Sequence, residues 1–247
     1  MKTYLSELFS SIQGEGPYIG ERHLFVRFCE CHRECIFCDT NTQLTDNIMV
    51  EMNSEEIEYI PNPISLENLL NLINKIDKNN NNKKISITGG EPLLQTRFLK
   101  KLLPSLVEYE KKIYLETAGD LPKQLEAIVK WIDVASVDIK LASVTNEKNN
   151  FPLHWQFIKC LSDYNIEFFT KIIVSNNTDE MELISAAKGI SKYAGKNNLF
   201  ILQPMSSTER VNNIPTIKNI MKWQEKLESV LDNVRVIPQT HKIMGIL

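Results

Sequence analysis

Apolar and polar positions along the chain follow a pattern of strands that alternate with helices. Runs rich in β-branched and aromatic residues predict six strands, starting near residues 22, 85, 113, 134, 168 and 199. Between the later runs, apolar residues recur at helical spacing, which predicts helices over 97–110, 122–131, 153–164 and 179–194. This alternation is typical of a parallel sheet with helices outside, so the predicted fold class is α/β.

The segments around these elements are more varied. Residues 41–63 are polar and acidic, and we interpret them as an excursion that covers or flanks a site without supplying chemistry. Ser65 is placed to cap a helix that ends near Lys78 and has apolar positions at Leu66, Leu69, Leu70, Ile73 and Ile76. A last helix is predicted over 215–229, and the tail 230–247 can add an edge strand from Val234.

Composition narrows the class of protein. A chain of 247 residues with 43% hydrophobic and 24% charged residues suits one globular domain over 1–247. The net charge of −3 provides no basic footprint for nucleic acid, and no apolar run approaches the roughly 20 residues that span a bilayer. The odd cysteine count, five, and the lack of a signal peptide predict a reducing, cytoplasmic location.

Three cysteines form the most informative motif. Cys31, Cys35 and Cys38 have the spacing C-x3-C-x2-C, which lets a short turn aim three thiolates at one metal centre. A structural zinc ion needs four protein ligands, and Cys29 or His32 could supply the fourth. A 4Fe-4S cluster bound by three thiolates keeps one iron open to another ligand.

Arg27 is anomalous within its predicted strand, Arg22–Cys29. Because side chains alternate along a strand, Phe25 and Arg27 share one face, and Leu24, Val26 and Phe28 share the other. A guanidinium in such surroundings needs an anion, and its planar fork suits a carboxylate. That carboxylate belongs either to a ligand or to an internal ion pair.

Two glycine-rich turns and a set of polar strand ends mark a candidate site. Gln13-Gly-Glu15-Gly-Pro17 and Gly89-Gly-Glu-Pro92 let the backbone approach a ligand closely, although either turn alone is common punctuation. Any one polar strand end is more often a cap or a local hydrogen bond, but their shared placement indicates a site. These residues are Thr88, Glu116, Thr117, Asp138, Lys140, Lys171, Ser175, Gln203 and Ser206.

The cysteine motif resembles the cluster signature of radical S-adenosylmethionine (SAM) enzymes. Over residues 6–242 the chain more specifically resembles the 7-carboxy-7-deazaguanine synthase family. The motifs that carry this resemblance are Ser11-Ile-Gln-Gly-Glu-Gly16, Phe25-Val-Arg27, the three cysteines, Asp39-Thr40, Thr88-Gly-Gly-Glu-Pro92, Gln203-Pro204 and Gln239-Thr-His-Lys242. The chain departs from the family's usual Gly-Cys-Asn at Glu30-Cys31-His32, which alters the charge beside the cysteines.

The resemblance implies a fold, a reaction and cofactors. The fold is a partial six-stranded (β/α)6 barrel. The reaction contracts the ring of 6-carboxy-5,6,7,8-tetrahydropterin to 7-carboxy-7-deazaguanine with loss of ammonia, in queuosine-type deazapurine biosynthesis. Its cofactors are a 4Fe-4S cluster, SAM and Mg²⁺, and the reduced cluster cleaves SAM to a 5′-deoxyadenosyl radical. An electron donor such as a flavodoxin and a homodimer are also implied.

The resemblance further implies residue roles. Cys31, Cys35 and Cys38 would be the catalytic cluster ligands, and Thr40 would bind Mg²⁺. SAM would contact Phe37, Cys38, Gly90, Asp138, Ile139, Lys140, Gln203, Pro204, Met205 and Ser206. The substrate, including its donor edge and its carboxylate, would contact Ile12, Gln13, Gly14, Glu15, Arg27, Thr88, His241 and the tail 230–247. Thr40 could instead cap a helix.

Two other classes of protein stay open at this level. A radical SAM activase of a glycyl radical enzyme shares the cysteine spacing and Asp138-Ile-Lys140, but it does not explain Gln13, Glu15 or Arg27. A zinc-stabilised interaction protein would use the same cysteines without cleaving SAM.

Overall fold

A computed structural model describes residues 1–38, 40–53, 56–207 and 212–246. Its strands are β1 (Lys2–Thr3), β2 (Leu5–Ile12), β3 (Arg22–Phe28), β4 (Asn47–Asn53), β5 (Glu56–Pro61), β6 (Ile64–Ser65), β7 (Lys84–Gly89), β8 (Lys112–Thr117), β9 (Val134–Asp138), β10 (Glu167–Val174), β11 (Phe200–Pro204) and β12 (Val234–Val236). Asp39, one residue of the Asp39-Thr40 motif, lies outside the described residues.

The helices lie outside the sheet, except α8, whose His241 and Lys242 line the central cavity. They are α1 (Leu66–Ile76), α2 (Thr96–Glu108), α3 (Pro122–Glu126), α4 (Ala142–Thr145), α5 (Phe151–Asp163), α6 (Glu180–Tyr193), α7 (Ile217–Glu228) and α8 (Thr240–Met244). The predicted cap of α1 is present, because Ser65 Oγ accepts a hydrogen bond from the Asn68 amide at 3.2 Å.

The six predicted strands lie side by side and run parallel. In the ten-stranded sheet of the described chain, β3, β7, β8, β9, β10 and β11 are consecutive neighbours. Their apolar side chains and those of the outer helices form one core, in which Ile85, Leu115 and Leu202 are fully buried. The α/β class and the six-stranded barrel are therefore confirmed. β12 pairs with β11 at the end of the sheet, as predicted for the tail.

Five further strands form where the apolar pattern was weak: β2, β4 and β5 extend the ten-stranded sheet, and β1 pairs with β6. β2 runs antiparallel to β3, and β4 and β5 form a hairpin within the excursion 41–63 that joins β2. This excursion flanks the barrel, and none of its described residues lines the central cavity.

The helix predicted over 122–131 is broken into α3 and a 3-10 turn, Val129–Trp131, because the Ile128 amide bonds to Leu125 O.

The amino ends of the barrel strands are closed by aromatic side chains. Tyr18 packs edge-on against Tyr114, with ring centroids 5.5 Å apart, and its hydroxyl bonds to Glu167. Gly16 makes this possible: its φ is +69°, and a Cβ there would lie 2.6 Å from Phe169 Cζ. The barrel therefore opens at its carboxyl end. Among the described residues, no helix combines the length and apolar character needed to cross a membrane.

Candidate active site

The carboxyl ends of the barrel strands surround a cavity of about 360 Å³, which is within the range of small-molecule sites. Most of the predicted site residues line it. These are Ile12, Gln13, Gly14, Glu15, Arg27, Cys31, Cys35, Phe37, Cys38, Thr40, Thr88, Gly90, Asp138, Lys140, Met205, Ser206 and His241. Ile139, Gln203 and Pro204 do not line it. Ile139 and Gln203 are fully buried.

The three motif cysteines lie on one wall of the cavity. Cys31 and Cys35 are half-buried and Cys38 is exposed, while burial raises the pKa of the Cys35 thiol to about 11. A turn closes this segment, because the Cys38 amide donates to Cys35 O at 3.0 Å. Cys29 is buried, and neither it nor Cys160 lines the cavity.

The geometry of the cysteines does not suit a single zinc ion. Among residues 1–38, 40–53, 56–207 and 212–246, no three His, Cys, Asp or Glu side chains are arranged to hold one metal ion. His32, a candidate fourth ligand, is bonded through Nε2 to Asp120 at 3.0 Å. The ligands of a 4Fe-4S cluster bind different irons, so three thiols facing one cavity fit a cluster better than a closed zinc site.

The residues just after Cys31 are held by two carboxylates that sequence reasoning did not single out. Asp120 Oδ2 accepts hydrogen bonds from Arg33 Nε and Nη2, at 3.1 and 2.6 Å. Glu147 Oε2 accepts one from Arg33 Nη1 at 2.7 Å. The His32 hydrogen bond to Asp120 raises the pKa of His32 to about 10. In the altered triplet Glu30-Cys31-His32, the imidazolium of His32 is therefore a cation beside the cysteines. It is paired with the Asp120 carboxylate.

The glycine turn after β7 packs against the residue that precedes Cys31. A Cβ on Gly90 would lie 2.0 Å from the Glu30 carbonyl oxygen and 3.1 Å from Cys31 Cβ. The next amide, of Glu91, donates to that carbonyl at 2.9 Å. A side chain at position 90 would enter the space of the predicted SAM site and would also displace the cysteine segment. Gly90→Val should therefore reduce cluster binding as well as SAM cleavage.

Glu91 is fully buried and ties this turn to the end of β8. Its carboxylate accepts hydrogen bonds from Thr117 Oγ1 at 2.9 Å and from the Ala118 amide at 2.8 Å. Burial raises the pKa of Glu91, and these donors oppose the shift. Glu91 is therefore an internal anchor of the site, placed behind the cavity wall.

The predicted substrate loop is built around Glu15. Glu15 Oε1 accepts from Gln239 Nε2 at 2.9 Å and from Gln203 Nε2 at 3.2 Å, and Oε2 is bonded to Lys171. Desolvation by burial favours the protonated carboxyl, but Lys171 and Gln239 outweigh it and hold the pKa of Glu15 at about 2. The tail secures this loop, since Thr240 Oγ1 donates to Gly14 O at 2.9 Å.

Lys171 links the loop to the end of β9. Asp138 Oδ2 lies 3.3 Å from Lys171 Nζ and 2.8 Å from Lys140 Nζ, and Lys140 stands 5.3 Å from the centroid of the Phe37 ring. Two buried acceptors of the segments predicted to bind SAM, Asp138 Oδ1 and Gln203 Oε1, have no hydrogen-bond partner within the described chain. Asp138 lines the cavity, so its free acceptor fits a ligand with hydroxyl or amine donors, such as SAM, whereas Gln203 does not line it.

On the opposite side, Arg27 has an internal partner. Arg27 Nη1 lies 2.9 Å from Glu7 Oε2, directly across the β2–β3 pair. The predicted ion pair is therefore present, yet the guanidinium still lines the cavity. Nearby, Glu116 accepts hydrogen bonds from Thr88 Oγ1 at 2.6 Å and from Gln13 Nε2 at 2.8 Å.

Thr40 lines the cavity beside the cysteines, and its carbonyl oxygen lies 3.8 Å from Cys38 Sγ. The alternative that Thr40 caps a helix is wrong, because β4 is the next described element. Sequence reasoning also passed over Ser136, which lines the cavity two residues before Asp138 on the same face of β9. The alternation of side chains along a strand could have indicated Ser136, because Asp138 was already a predicted site residue.

Comparisons with known proteins agree with this geometry. The model of the radical SAM superfamily matches residues 26–188. With six parallel strands and three cysteines at the open end, the chain is a radical SAM protein. It is 34% identical to 7-carboxy-7-deazaguanine synthase of Geobacter sulfurreducens, over 98% of this chain and 96% of that one. It is also 30% identical to the Archaeoglobus fulgidus enzyme of that name, over 100% of both chains. The chain belongs to the 7-carboxy-7-deazaguanine synthase family.

Solved structures show the same fold. QueE from Escherichia coli superposes with a TM-score of 0.62 at 20% identity, covering 98% of this chain and 95% of that one. The AdoMet-bound anSMEcpe superposes with a TM-score of 0.56 at 16% identity, covering 98% of this chain and 65% of that one.

Proposed function

We propose that the chain converts 6-carboxy-5,6,7,8-tetrahydropterin to 7-carboxy-7-deazaguanine with loss of ammonia, as a radical SAM enzyme of queuosine-type deazapurine biosynthesis. The observation that carries the proposal is that the motif cysteines, Gln13, Glu15 and Arg27 line one cavity. A glycyl-radical activase would leave Gln13 and Glu15 without a role.

The site separates into a cofactor side and a substrate side. Cys31, Cys35 and Cys38 would hold the 4Fe-4S cluster, and Asp138 and Lys140, which line the cavity, would contact SAM. A cluster held there would supply the one electron needed to cleave SAM to methionine and a radical able to take hydrogen from the pterin. The chain contributes a closed barrel floor, which keeps water away from the radical.

On the substrate side, Glu15 and Arg27 would hold the two ends of the pterin. A carboxylate has about four acceptor sites, and Lys171, Gln203 and Gln239 already donate to Glu15. A pterin edge with two donors would therefore displace one of the two amides. Arg27 has five N–H donors, so it can bind the substrate carboxylate while Nη1 faces Glu7.

Mg²⁺ would complete the binding of that carboxylate. Thr40 lines the cavity beside Cys38, and its hydroxyl is an oxygen ligand of the type Mg²⁺ prefers. Since Mg²⁺ commonly keeps waters and substrate oxygens in its shell, one protein ligand is compatible with a site formed only with substrate bound.

The family resemblance also supports a cytoplasmic homodimer that receives electrons from a donor such as a flavodoxin. All five cysteines are free thiols, as expected in a reducing compartment. Sedimentation of the reconstituted protein tests the dimer, and reduction of the cluster by a purified flavodoxin tests the donor.

The decisive experiment is anaerobic reconstitution followed by incubation with SAM, reductant and 6-carboxy-5,6,7,8-tetrahydropterin. We expect 5′-deoxyadenosine, ammonia and 7-carboxy-7-deazaguanine, detected by mass spectrometry, and we expect none of them from Cys35→Ala. If the parent cleaves SAM but forms no deazaguanine, the substrate assignment is wrong and the superfamily assignment stands.

A further inference from the structure

The cluster loop, defined as residues 30–38, is fixed to the barrel before its first cysteine. Glu30 has a φ of +68°, a left-handed conformation that is uncommon for a side chain other than glycine. Its amide donates to Thr42 O at 2.8 Å, and its carbonyl accepts from the Glu91 amide at 2.9 Å. The backbone immediately before Cys31 is therefore held through both the amide and the carbonyl group of Glu30.

After Cys31 the same loop is held through Arg33, whose side chain is only 6% exposed. Its fork reaches Asp120 after β8 and Glu147 after α4, so two separate segments hold one guanidinium. Glu147 also accepts the Glu34 amide at 2.7 Å. Paired contacts from a planar fork restrict the orientation of the group, and here they restrict the loop backbone as well.

The backbone of Arg33 has a direct contact with a predicted cluster ligand. Its amide N–H donates to Cys31 Sγ at 3.4 Å. Hydrogen bonds to cluster sulfurs, net charge and solvent exposure are the protein's means of setting an iron–sulfur reduction potential. An N–H donor on the sulfur favours the reduced state, because reduction adds negative charge, and the charge of Arg33 opposes the two carboxylates beside the loop.

We propose that Arg33, held by Asp120 and Glu147, is a positioning residue that fixes the amide donor on Cys31 Sγ and makes the cluster easier to reduce. This inference rests on the proposed binding of a cluster by Cys31, Cys35 and Cys38. It gives Arg33, which also lines the cavity, a role separate from cluster ligation.

A purely structural ion pair is the competing explanation, and the chain contains a matched control. Asp77 and Lys111 form another buried pair, with side chains 2% and 11% exposed, at the amino end of β8. Asp77→Asn therefore removes a buried carboxylate with a cationic partner, as Asp120→Asn does, but away from the cavity. Both variants should lower thermal stability.

The first measurement is a redox titration of the reconstituted cluster, followed by electron paramagnetic resonance, in the parent, Arg33→Met and Arg33→Lys. At a fixed potential we expect the ratio of reduced to oxidised cluster to be about tenfold lower in Arg33→Met, which for a one-electron couple equals about 59 mV. Arg33→Lys keeps the charge and loses the fork, so its potential should lie between the other two. An Arg33→Met potential equal to that of the parent would overturn the proposal.

The second measurement covers the case in which Arg33→Met retains too little cluster to titrate. Iron release to a chelator is timed in the parent, Asp120→Asn and Asp77→Asn. We expect release at least fivefold faster in Asp120→Asn and unchanged in Asp77→Asn, although both melt at lower temperature. Equal rates of iron release in Asp120→Asn and Asp77→Asn would show that the pair of Arg33 and Asp120 has only a structural role, and the proposal would be wrong. A parent that binds no cluster would instead defeat the proposed function.

Discussion

The two ends of the barrel are built from the same strands and differ completely in character. At the floor, the inward positions are Tyr114 on β8, Phe169 on β10 and Ile201 on β11, all buried in one apolar cluster. Two residues further along each strand, the inward positions are Glu116, Lys171 and Gln203. The change from an apolar floor to a charged mouth takes place within one strand period.

The difference shows how the fold accommodates buried charge. At the floor, the ring of Tyr114 packs against those of Tyr18 and Phe169. At the mouth, each charge has a partner: Lys171 contacts Glu15 and Asp138, and Arg27 contacts Glu7. Because the mouth residues line the cavity and the floor residues pack in an apolar cluster, we expect changes at the mouth to alter function and changes at the floor to alter mainly stability.

The largest effect is expected from the mouth cysteines. Cys35→Ala should lose the broad thiolate-to-iron absorption and all SAM cleavage, because soft thiolates are the preferred ligands of iron–sulfur centres. Absorption spectra after anaerobic reconstitution check this. Cys29→Ala and Cys160→Ala are the controls and should keep the cluster. Loss of the cluster in Cys29→Ala together with its retention in Cys35→Ala would reverse the assignment.

At the floor, Ile201→Ala should lower the free energy of unfolding by about 2–5 kcal/mol, the usual cost of such a cavity in a core. Urea unfolding measures this change. SAM cleavage per folded molecule should be unchanged at a temperature where the variant is folded. A variant that kept its stability but lost SAM cleavage would contradict the division between floor and mouth.

Arg27→Lys should lower kcat/KM for the pterin roughly tenfold or more, about 1.4 kcal/mol, because the planar fork is lost while the charge stays. Steady-state kinetics at several Mg²⁺ concentrations should show the loss at all of them. Glu7→Gln is the matched control, since it leaves Arg27 intact and removes only its internal anion. A larger loss in Glu7→Gln than in Arg27→Lys would assign Arg27 to the ion pair alone.

The smallest effect concerns Thr40. Thr40→Ala should keep the cluster and basal turnover and lose most of the Mg²⁺ stimulation. The change in activity should be only a few-fold, because Mg²⁺ retains its waters and substrate oxygens. Activity measured against Mg²⁺ concentration gives the result. If Thr40→Ala responded to Mg²⁺ as the parent does, the metal would bind elsewhere.

The sequence predicted the barrel strands from local patterns, and it predicted most of the cavity lining through the family resemblance that short motifs carry. Strand runs, cysteine spacing and glycine turns are each contained in fewer than ten residues. The hairpin of β4 and β5 was not predicted, since its polar and acidic residues at the sheet edge resemble a loop.

The residues that hold the cluster loop were missed for a different reason. Asp120 and Glu147 are 87 and 114 positions from Arg33, so no local pattern relates them. Glu15 was predicted to lie in a ligand loop, but its pairing with Lys171 depends on tertiary structure, 156 positions away. Only the register of the sheet brings such groups together.

The contact between the tail and Gly14 affects the order in which the site can form during synthesis of the chain. Thr240 bonds to a loop 226 positions earlier, and Gln239 bonds to Glu15. The residues that hold the cluster loop end at Glu147. At about 5–20 residues per second, a ribosome reaches Gln239 several seconds after Glu147. The nascent chain therefore contains the three cysteines and the residues that hold the cluster loop several seconds before Gln239 and Thr240 can contact Gly14 and Glu15, so insertion of a cluster would be able to precede formation of the proposed substrate site.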